Sequence, residues 1–172
     1  MRIRTEEKGD ERLIRVLLED AFPSSLEADL VEKLRETKAY LPKLALVAEL
    51  DSHELAGFLL LTKASIIQEK QNVEILVLAP LAVLTREQHN GIGSKLVEAG
   101  IRAARKAGFR AISVLGHADF YPRFGFQKAK LYGLEAPFPV EEENFMVLDF
   151  GEENFTGLAG KLMYPEPFLE IE

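Results

Sequence analysis

The chain has 172 residues, nearly half of them hydrophobic, which predicts one compact domain over residues 1–172 with an unstapled core. It contains no cysteine, which excludes disulfide scaffolds, cysteine-ligated zinc and thiol nucleophiles and favours a reducing, cytoplasmic location. The net charge of −7 argues against nucleic-acid binding and favours cationic substrates, although solubility alone would explain it. No apolar run approaches the ~20 residues of a membrane span, and the charged N-terminus predicts no signal peptide.

The N-terminal part of the chain predicts a short strand followed by two helices. Arg2–Arg4 is the strand. Asp10–Phe22 carries apolar residues at helical spacing, with Asp10 as the expected N-cap and Pro23 ending the helix. A second helix follows, with Ser24 or Ser25 as its cap.

An antiparallel meander is expected next. Its three strands are separated by polar turns and cover Leu44–Leu50, Glu54–Ile67 and Val73–Leu84. The third strand contains Ala79-Pro80, and a proline inside a strand predicts an edge, a bulge or a break. We therefore expect a local disruption of the sheet at this dipeptide.

The remainder of the chain predicts a crossover and a mixed end. Gly91–Gly108 has the clearest amphipathic pattern of the chain, and Arg110–Leu115 reads as the next strand. A right-handed crossover would place that strand parallel to the third meander strand. A short helix is then expected at His117–Phe124, and strands at Phe126–Ala129 and Phe145–Phe150. Leu131–Asn144, between these strands, is expected to be a loop, and one further strand should follow Gly151. The fold class is therefore α/β (α+β), a mixed sheet with helices on both faces.

The junction Gln88–Ser94 is the segment most suggestive of ligand binding. Unpaired N–H groups and the positive end of a helix dipole favour an anion there, and Gly91 and Gly93 allow the backbone to approach it. Arg86 and Lys95 add positive charge, so a pyrophosphate is the natural ligand. A dinucleotide fingerprint lacks its third glycine, because Leu96 stands there, and a Walker A loop lacks its Gly-Lys-Ser/Thr. A simple tight turn at Asn90-Gly91 is the structural alternative.

Two motifs together resemble a known family. Gln88-x-x-Gly91-x-Gly93 at the start of a helix resembles motif A of the GNAT superfamily of N-acetyltransferases. Further along, Tyr121-Pro122-Arg123-Phe124-Gly125-Phe126 is similar to the tyrosine and Gly-Phe signature of the same family. The resemblance extends to the order of elements over nearly the whole chain. It implies a mostly antiparallel sheet with a splayed parallel pair, and acetyl-CoA as co-substrate.

The resemblance also implies roles for individual residues. The backbone of Leu81, Ala82 and Val83 would pair with the pantetheine arm at a splayed strand end. The N–H groups of the turn and first helical residues would hold the pyrophosphate, namely those of Gln88, His89, Asn90, Gly91, Ile92, Gly93 and Ser94. Tyr121 would lie near the thioester sulfur.

Acyl transfer to an amine requires a proton acceptor, an oxyanion donor and an acid for the leaving thiolate. A backbone N–H near Val83 is the expected donor, and Tyr121 the expected acid, although its aromatic neighbours also allow a plain core role. The base candidates are His117, which follows a strand end, and Glu74, at the start of a strand; a water chain is the alternative. His117 could equally be a structural residue, and Glu74 a solvated edge residue. Three scattered histidines without cysteine predict no metal site.

Three functions are consistent with these patterns. The first is transfer of acetyl from acetyl-CoA to a small-molecule or protein amine by direct attack in a ternary complex, with a homodimer as a further expectation from the family. The second is a non-catalytic acyl-CoA sensor, suggested by the apolar strand where a base would stand. The third is a purely structural domain without CoA binding.

Overall fold

Nine strands form one sheet in the computed structural model, which describes residues 1–151 and 157–170. The strands are β1 (Arg2–Thr5), β2 (Tyr40–Glu49), β3 (Leu55–Ile67), β4 (Val73–Val83), β5 (Ala111–Leu115), β6 (Gln127–Lys128), β7 (Leu134–Glu135), β8 (Phe145–Asp149) and β9 (Gly160–Met163). The helices are α1 (Glu11–Ala21), α2 (Leu26–Arg35) and α3 (Ile92–Lys106). Single 3-10 turns cover Thr85–Glu87, Tyr121–Phe124, Ala129–Tyr132, Glu142–Asn144 and Glu166–Glu170.

The sheet is mostly antiparallel, as expected. Its main path runs β1-β2-β3-β4-β5-β8-β6, while β9 pairs with β3 and β7. The crossover through α3 makes β4 and β5 parallel neighbours. This parallel pair lies in the middle of the sheet, where the site is built.

A bulge interrupts β4 at the predicted position. Leu78 pairs with Leu61 of β3, but the next pair joins Leu81 to Leu59, so that Ala79 and Pro80 together face Leu60. The disruption predicted at this dipeptide is therefore present, and it is of the bulge type. A bulge bends the strand that carries it, and this bulge lies shortly before the end of β4.

Helices cover both faces of the sheet, which divides the core into two layers. On one face α1 and α2 bury Ile14, Leu17 and Leu34 against the sheet. On the other face α3 buries Leu96 and Val97. None of the helices in the described parts of the chain combines the length and apolarity that a bilayer span requires.

Asp10 does not cap α1 with its side chain, contrary to the prediction. Its carboxylate instead accepts bonds from Arg4 of β1, at 2.8 and 3.2 Å, and from the backbone N–H of Glu7 at 2.8 Å. The hydrogen bond from Arg4 holds the pKa of Asp10 below its usual value. The ion pair with Arg4 of β1 has therefore replaced the local capping hydrogen bond of α1.

Two other predictions need correction or completion. Leu131–Asn144 is not entirely loop, because β7 forms a parallel pair with β9 within it. Ser25 occupies the N-cap position of α2 without a side-chain cap bond, while the Ser24 hydroxyl accepts the N–H of Leu26 at 3.3 Å. The strand expected after Gly151 is β9, but residues 152–156 and the end of the predicted tail, 171–172, lie outside the described residues.

Candidate functional site

The N-terminus of α3 presents free donors at the predicted junction. Gly91 is the N-cap, with a left-handed φ of 81° that glycine adopts without strain. The first intrahelical bond of this turn runs from Lys95 N–H to Gly91 C=O at 3.1 Å. The N–H groups of Ile92, Gly93 and Ser94 therefore have no acceptor within the helix. At the positive end of the helix dipole, these free donors make the turn a candidate anion site.

Side chains of the preceding turn shape this site. His89 also has a left-handed φ, of 70°, and its side chain is exposed. The Gln88 amide donates to the Val83 C=O at 3.4 Å, and the Asn90 amide donates to Glu87 at 3.3 Å. Arg86 is ion-paired with Glu54, the residue before β3, so its guanidinium already has a carboxylate partner.

The end of β4 exposes a row of backbone groups next to this anion site. Pairing between β4 and β5 ends at Leu78 and Val114, although β4 continues beside β3 to Val83. Leu84 N–H bonds to Ala56 C=O of β3 at 2.9 Å. Because antiparallel pairing alternates, the backbone of Ala82 also points to β3, whereas Leu81 and Val83 point into the gap. The splay implied by the family is thus formed with its edge open.

A cavity of about 630 Å³ adjoins this open edge. Its inner wall consists of β4 from Val77 to Leu81 together with the last residue of β5, Leu115, and the two residues after it, Gly116 and His117. Its outer wall comes from the start of the chain, through Phe22, Glu27 and Leu30, and from the end, through Phe138, Pro139, Tyr164 and Phe168. Phe120 and Tyr121 complete it.

Tyr121 is a buried wall residue of this cavity, with 7% of its surface exposed. Its ring contacts Phe120 and Phe126 edge-on, with centroids 5.0 and 5.6 Å away. Burial raises the pKa of Tyr121 to about 12. The phenol therefore keeps its proton at neutral pH and can donate it or share it with a ligand atom in the cavity.

His117 lies on the same cavity wall, but Glu74 does not. The His117 side chain is exposed, and its C=O accepts the N–H of Phe120 at 3.1 Å, which starts the turn that carries Tyr121. Glu74 instead lines a separate hollow with Lys63 and Phe109, beside the C-terminal end of α3. A base role for Glu74 is not supported, because the start of β4 lies away from the splay.

Phe120 connects the anion site and the cavity, and the sequence alone did not single it out. An added Cβ on Gly93 would lie 3.7 Å from the Phe120 ring and 3.8 Å from Val83. The Arg123 guanidinium lies over the same Phe120 ring, 4.9 Å from its centroid. The Phe120-x-x-Arg123 spacing within the tyrosine motif is the signal that could have indicated this stack.

Comparison with known proteins agrees with this architecture. The model of the acetyltransferase (GNAT) domain matches residues 42–128. The uncharacterized N-acetyltransferase YjhQ of Escherichia coli K12 is 39% identical over 80% of this chain and 76% of its own length. YhbS of the same strain is 32% identical over 98% of both chains.

Solved structures give the same result in three dimensions. The crystal structure of E. coli YhbS in complex with CoA has a TM-score of 0.89 at 30% identity, covering 98% of this chain and 91% of that one. A GNAT acetyltransferase of Brucella melitensis in complex with acetyl-CoA has a TM-score of 0.76 at 29% identity, covering 97% of both. With its matched domain model, its splayed parallel pair and its open α3 N-terminus, the chain belongs to the GNAT family of acetyl-CoA-dependent N-acetyltransferases.

Proposed function

We propose that this chain transfers an acetyl group from acetyl-CoA to a primary amine by direct attack within a ternary complex. The observation that carries the proposal is the continuity of three features: the free N–H groups of α3, the open edge of β4 and the cavity beside Tyr121. The N–H groups would bind the phosphates, the strand edge would bind the arm, and the cavity would hold the reactive end. The three features follow one another in the order that such a ligand requires.

The residues present fit a CoA. The backbone N–H groups of the segment Gln88–Ser94 would hold the pyrophosphate, and the absence of side chains at Gly91 and Gly93 leaves space above them. The Val83 N–H and the Leu81 C=O would hydrogen-bond to the amide-bearing arm as an adjacent strand would, whereas the Val83 C=O already accepts the Gln88 amide. The bound thioester would supply the acyl carbon at the cavity.

Three groups of the chain would carry the chemistry. The Leu81 N–H, which points into the gap where β4 lines the cavity, is the proposed donor to the acyl oxygen, because Val83 lies outside the cavity wall. His117 is the proposed acceptor of the amine proton, since imidazole most often has this role and its side chain is accessible on the wall. As the nitrogen–carbon bond forms and the carbon–sulfur bond breaks, Tyr121 would protonate the sulfur to give the free thiol.

The cofactor site can be tested by calorimetric titration of acetyl-CoA into wild type, Gly93→Gln and Gly93→Glu. A Cβ at Gly93 makes only ordinary contacts, and acidic residues are tolerated in a first helical turn, so both variants should fold. The two side chains have the same shape and differ in charge. Because the glutamate would add a negative charge beside the N–H groups proposed to hold the pyrophosphate, we expect Gly93→Glu to bind at least about tenfold more weakly than Gly93→Gln.

Release of free thiol with a panel of amines completes the test. Equal affinities of the glutamate and glutamine variants would place the phosphates elsewhere. Tight binding of acetyl-CoA without transfer to any amine would favour a sensor. A cytoplasmic location, a homodimer and the extent of the single domain remain predictions from sequence and family.

A further inference from the structure

The outer wall of the cavity is made of residues that the proposed mechanism does not use. It is largely aromatic, with Phe22, Phe138, Tyr164 and Phe168 facing the space beside Tyr121. The rings of Phe138 and Tyr164 lie 5.2 Å apart between centroids, and those of Tyr164 and Phe168 lie 5.4 Å apart. Such mutual packing gives a stiff apolar wall suited to a flat, apolar ligand body.

The tyrosine of this wall does not add charge to it. Burial raises the pKa of Tyr164 to about 12, so its hydroxyl is neutral at physiological pH. These rings therefore carry no charge. An apolar ligand body that packs against them is removed from water without approaching a charged group of the wall.

Glu27 is the one carboxylate among the described residues that line the cavity, and no lysine or arginine accompanies it there. The other acids of α2 are occupied, because Arg15 pairs with Asp29 and with Glu32, each at 3.0 Å. The Glu27 side chain, by contrast, makes no ion pair or hydrogen bond with any described residue. A half-buried, unpaired carboxylate beside aromatic rings is a cation-binding arrangement.

We infer that the acetyl acceptor is a small primary amine with an apolar, preferably aromatic, body and no negative group, and that Glu27 binds its ammonium form. This inference rests on the proposed function and specifies its substrate class. An amine that carries a carboxylate would meet Glu27 without a cation to offset the repulsion, and is selected against. Glu27 is a recognition residue, whereas the proton leaves through His117.

Binding can be measured without relying on turnover. The wild-type protein saturated with CoA is titrated with phenethylamine and with phenylalanine, which share a ring and an ammonium and differ in one carboxylate. The same titrations use Glu27→Gln and the control Glu36→Gln, which removes an exposed charge at the end of α2 away from the cavity. A lysine-containing peptide is added as a protein-type amine.

We expect the wild type to bind phenethylamine at least about tenfold more tightly than phenylalanine. Glu27→Gln should weaken phenethylamine binding about tenfold and narrow the gap between the two ligands, while Glu36→Gln should leave both unchanged. In steady-state thiol release, the same variant should raise KM for phenethylamine more than it lowers kcat.

Equal binding of the two ligands, an unaffected Glu27→Gln variant or a preference for the peptide would each overturn the inference. Transfer to other amines in the same samples would then show that acetyl transfer stands without it. Failure of the proposed function has a separate signature, namely absence of acetyl-CoA binding or of any acetyl transfer, and phenethylamine binding still decides whether Glu27 recognises the amine.

Discussion

Tyr121 occupies its place because Gly116 has no side chain. A Cβ at Gly116 would lie 2.5 Å from Cε2 of the Tyr121 ring, which no folded chain tolerates without movement. The glycine thus lets the ring pack against the residue that follows β5, where Tyr121 forms part of the cavity wall. At the scale of single residues, the site depends on small positions as much as on reactive ones.

Replacing Tyr121 by phenylalanine tests the acid role. The ring packing is kept and only the hydroxyl is lost, so kcat should fall about a hundredfold, the usual contribution of a positioned acid, while KM for acetyl-CoA changes little. Steady-state thiol release measures both quantities. Tyr132→Phe removes a hydroxyl outside the cavity and should behave as wild type. An unchanged kcat in Tyr121→Phe would leave the residue with a core role only.

Alkaline pH should destabilise the fold through the same tyrosine. A tyrosine in the unfolded chain has a pKa of about 10, whereas burial raises that of Tyr121 to about 12. Below pH 10 both states hold the proton and stability is complete; above it the unfolded state loses its proton first, and the free energy of unfolding falls.

Urea unfolding at pH 9 and pH 11 measures this effect. The decrease in the free energy of unfolding between pH 9 and pH 11 should be about 1 kcal/mol smaller in Tyr121→Phe than in wild type. If the loss is the same in Tyr121→Phe, the Tyr121 hydroxyl is better solvated than its burial indicates.

Among the elements, α1 is tied to the turn that leads into the anion site. The Asp20 carboxylate accepts the backbone N–H of Thr85 at 2.8 Å and its hydroxyl at 3.2 Å. Thr85 begins the 3-10 turn between β4 and the junction at Gln88. Through these bonds α1, which packs on one face of the sheet, positions the turn that precedes α3 on the other face.

Asp20→Ala should weaken acetyl-CoA binding severalfold, because the turn loses two bonds that hold it in the binding geometry. The global free energy of unfolding should change by no more than about 1 kcal/mol, since the bonds are exposed. Glu19→Ala is the matched control, because among the described residues Glu19 pairs only with Arg15 of its own helix, at 3.7 Å. Calorimetry and urea unfolding together check the prediction; equal affinities in the two variants would contradict it.

In the whole molecule, the distance between α3 and the sheet is set at Gly57 of β3. A Cβ there would lie 2.7 Å from Leu96 and 3.0 Å from Ile92 of the first turns of α3, and 3.3 Å from the Ala82 carbonyl. The helix N-terminus is thus held close to the open edge of β4. The spacing between layers consequently determines how the anion site faces the splay.

Gly57→Ala should therefore affect both stability and ligand binding. Overpacking at this contact should cost about 1–3 kcal/mol in urea unfolding, and the shifted helix should weaken acetyl-CoA binding in calorimetry. Gly157→Ala is the control, because a Cβ there meets no atom of the described residues within 4 Å. A stable Gly57→Ala variant with unchanged affinity would show that α3 is not held by this contact.

Local patterns were sufficient for most elements. The stripe of α3 and the three long strands β2 to β4 were predicted to within a few residues, and Ala79-Pro80 gave the bulge. The errors occur where distant segments compete. Arg4 of β1 draws Asp10 away from capping α1, and β7 exists only through its pairing with β9.

By itself, the sequence determined the family and indicated the junction at Gln88–Ser94 and Tyr121 as candidate parts of the site, because each depends on residues that lie next to one another in the chain. Only the tertiary structure decided which residues share the cavity. It separated Glu74 from Tyr121 and brought Glu27 of α2 to the same space as Tyr164 and Phe168. Side-chain periodicity encodes local conformation, whereas a cavity depends on how folded layers meet, and no short pattern records that meeting.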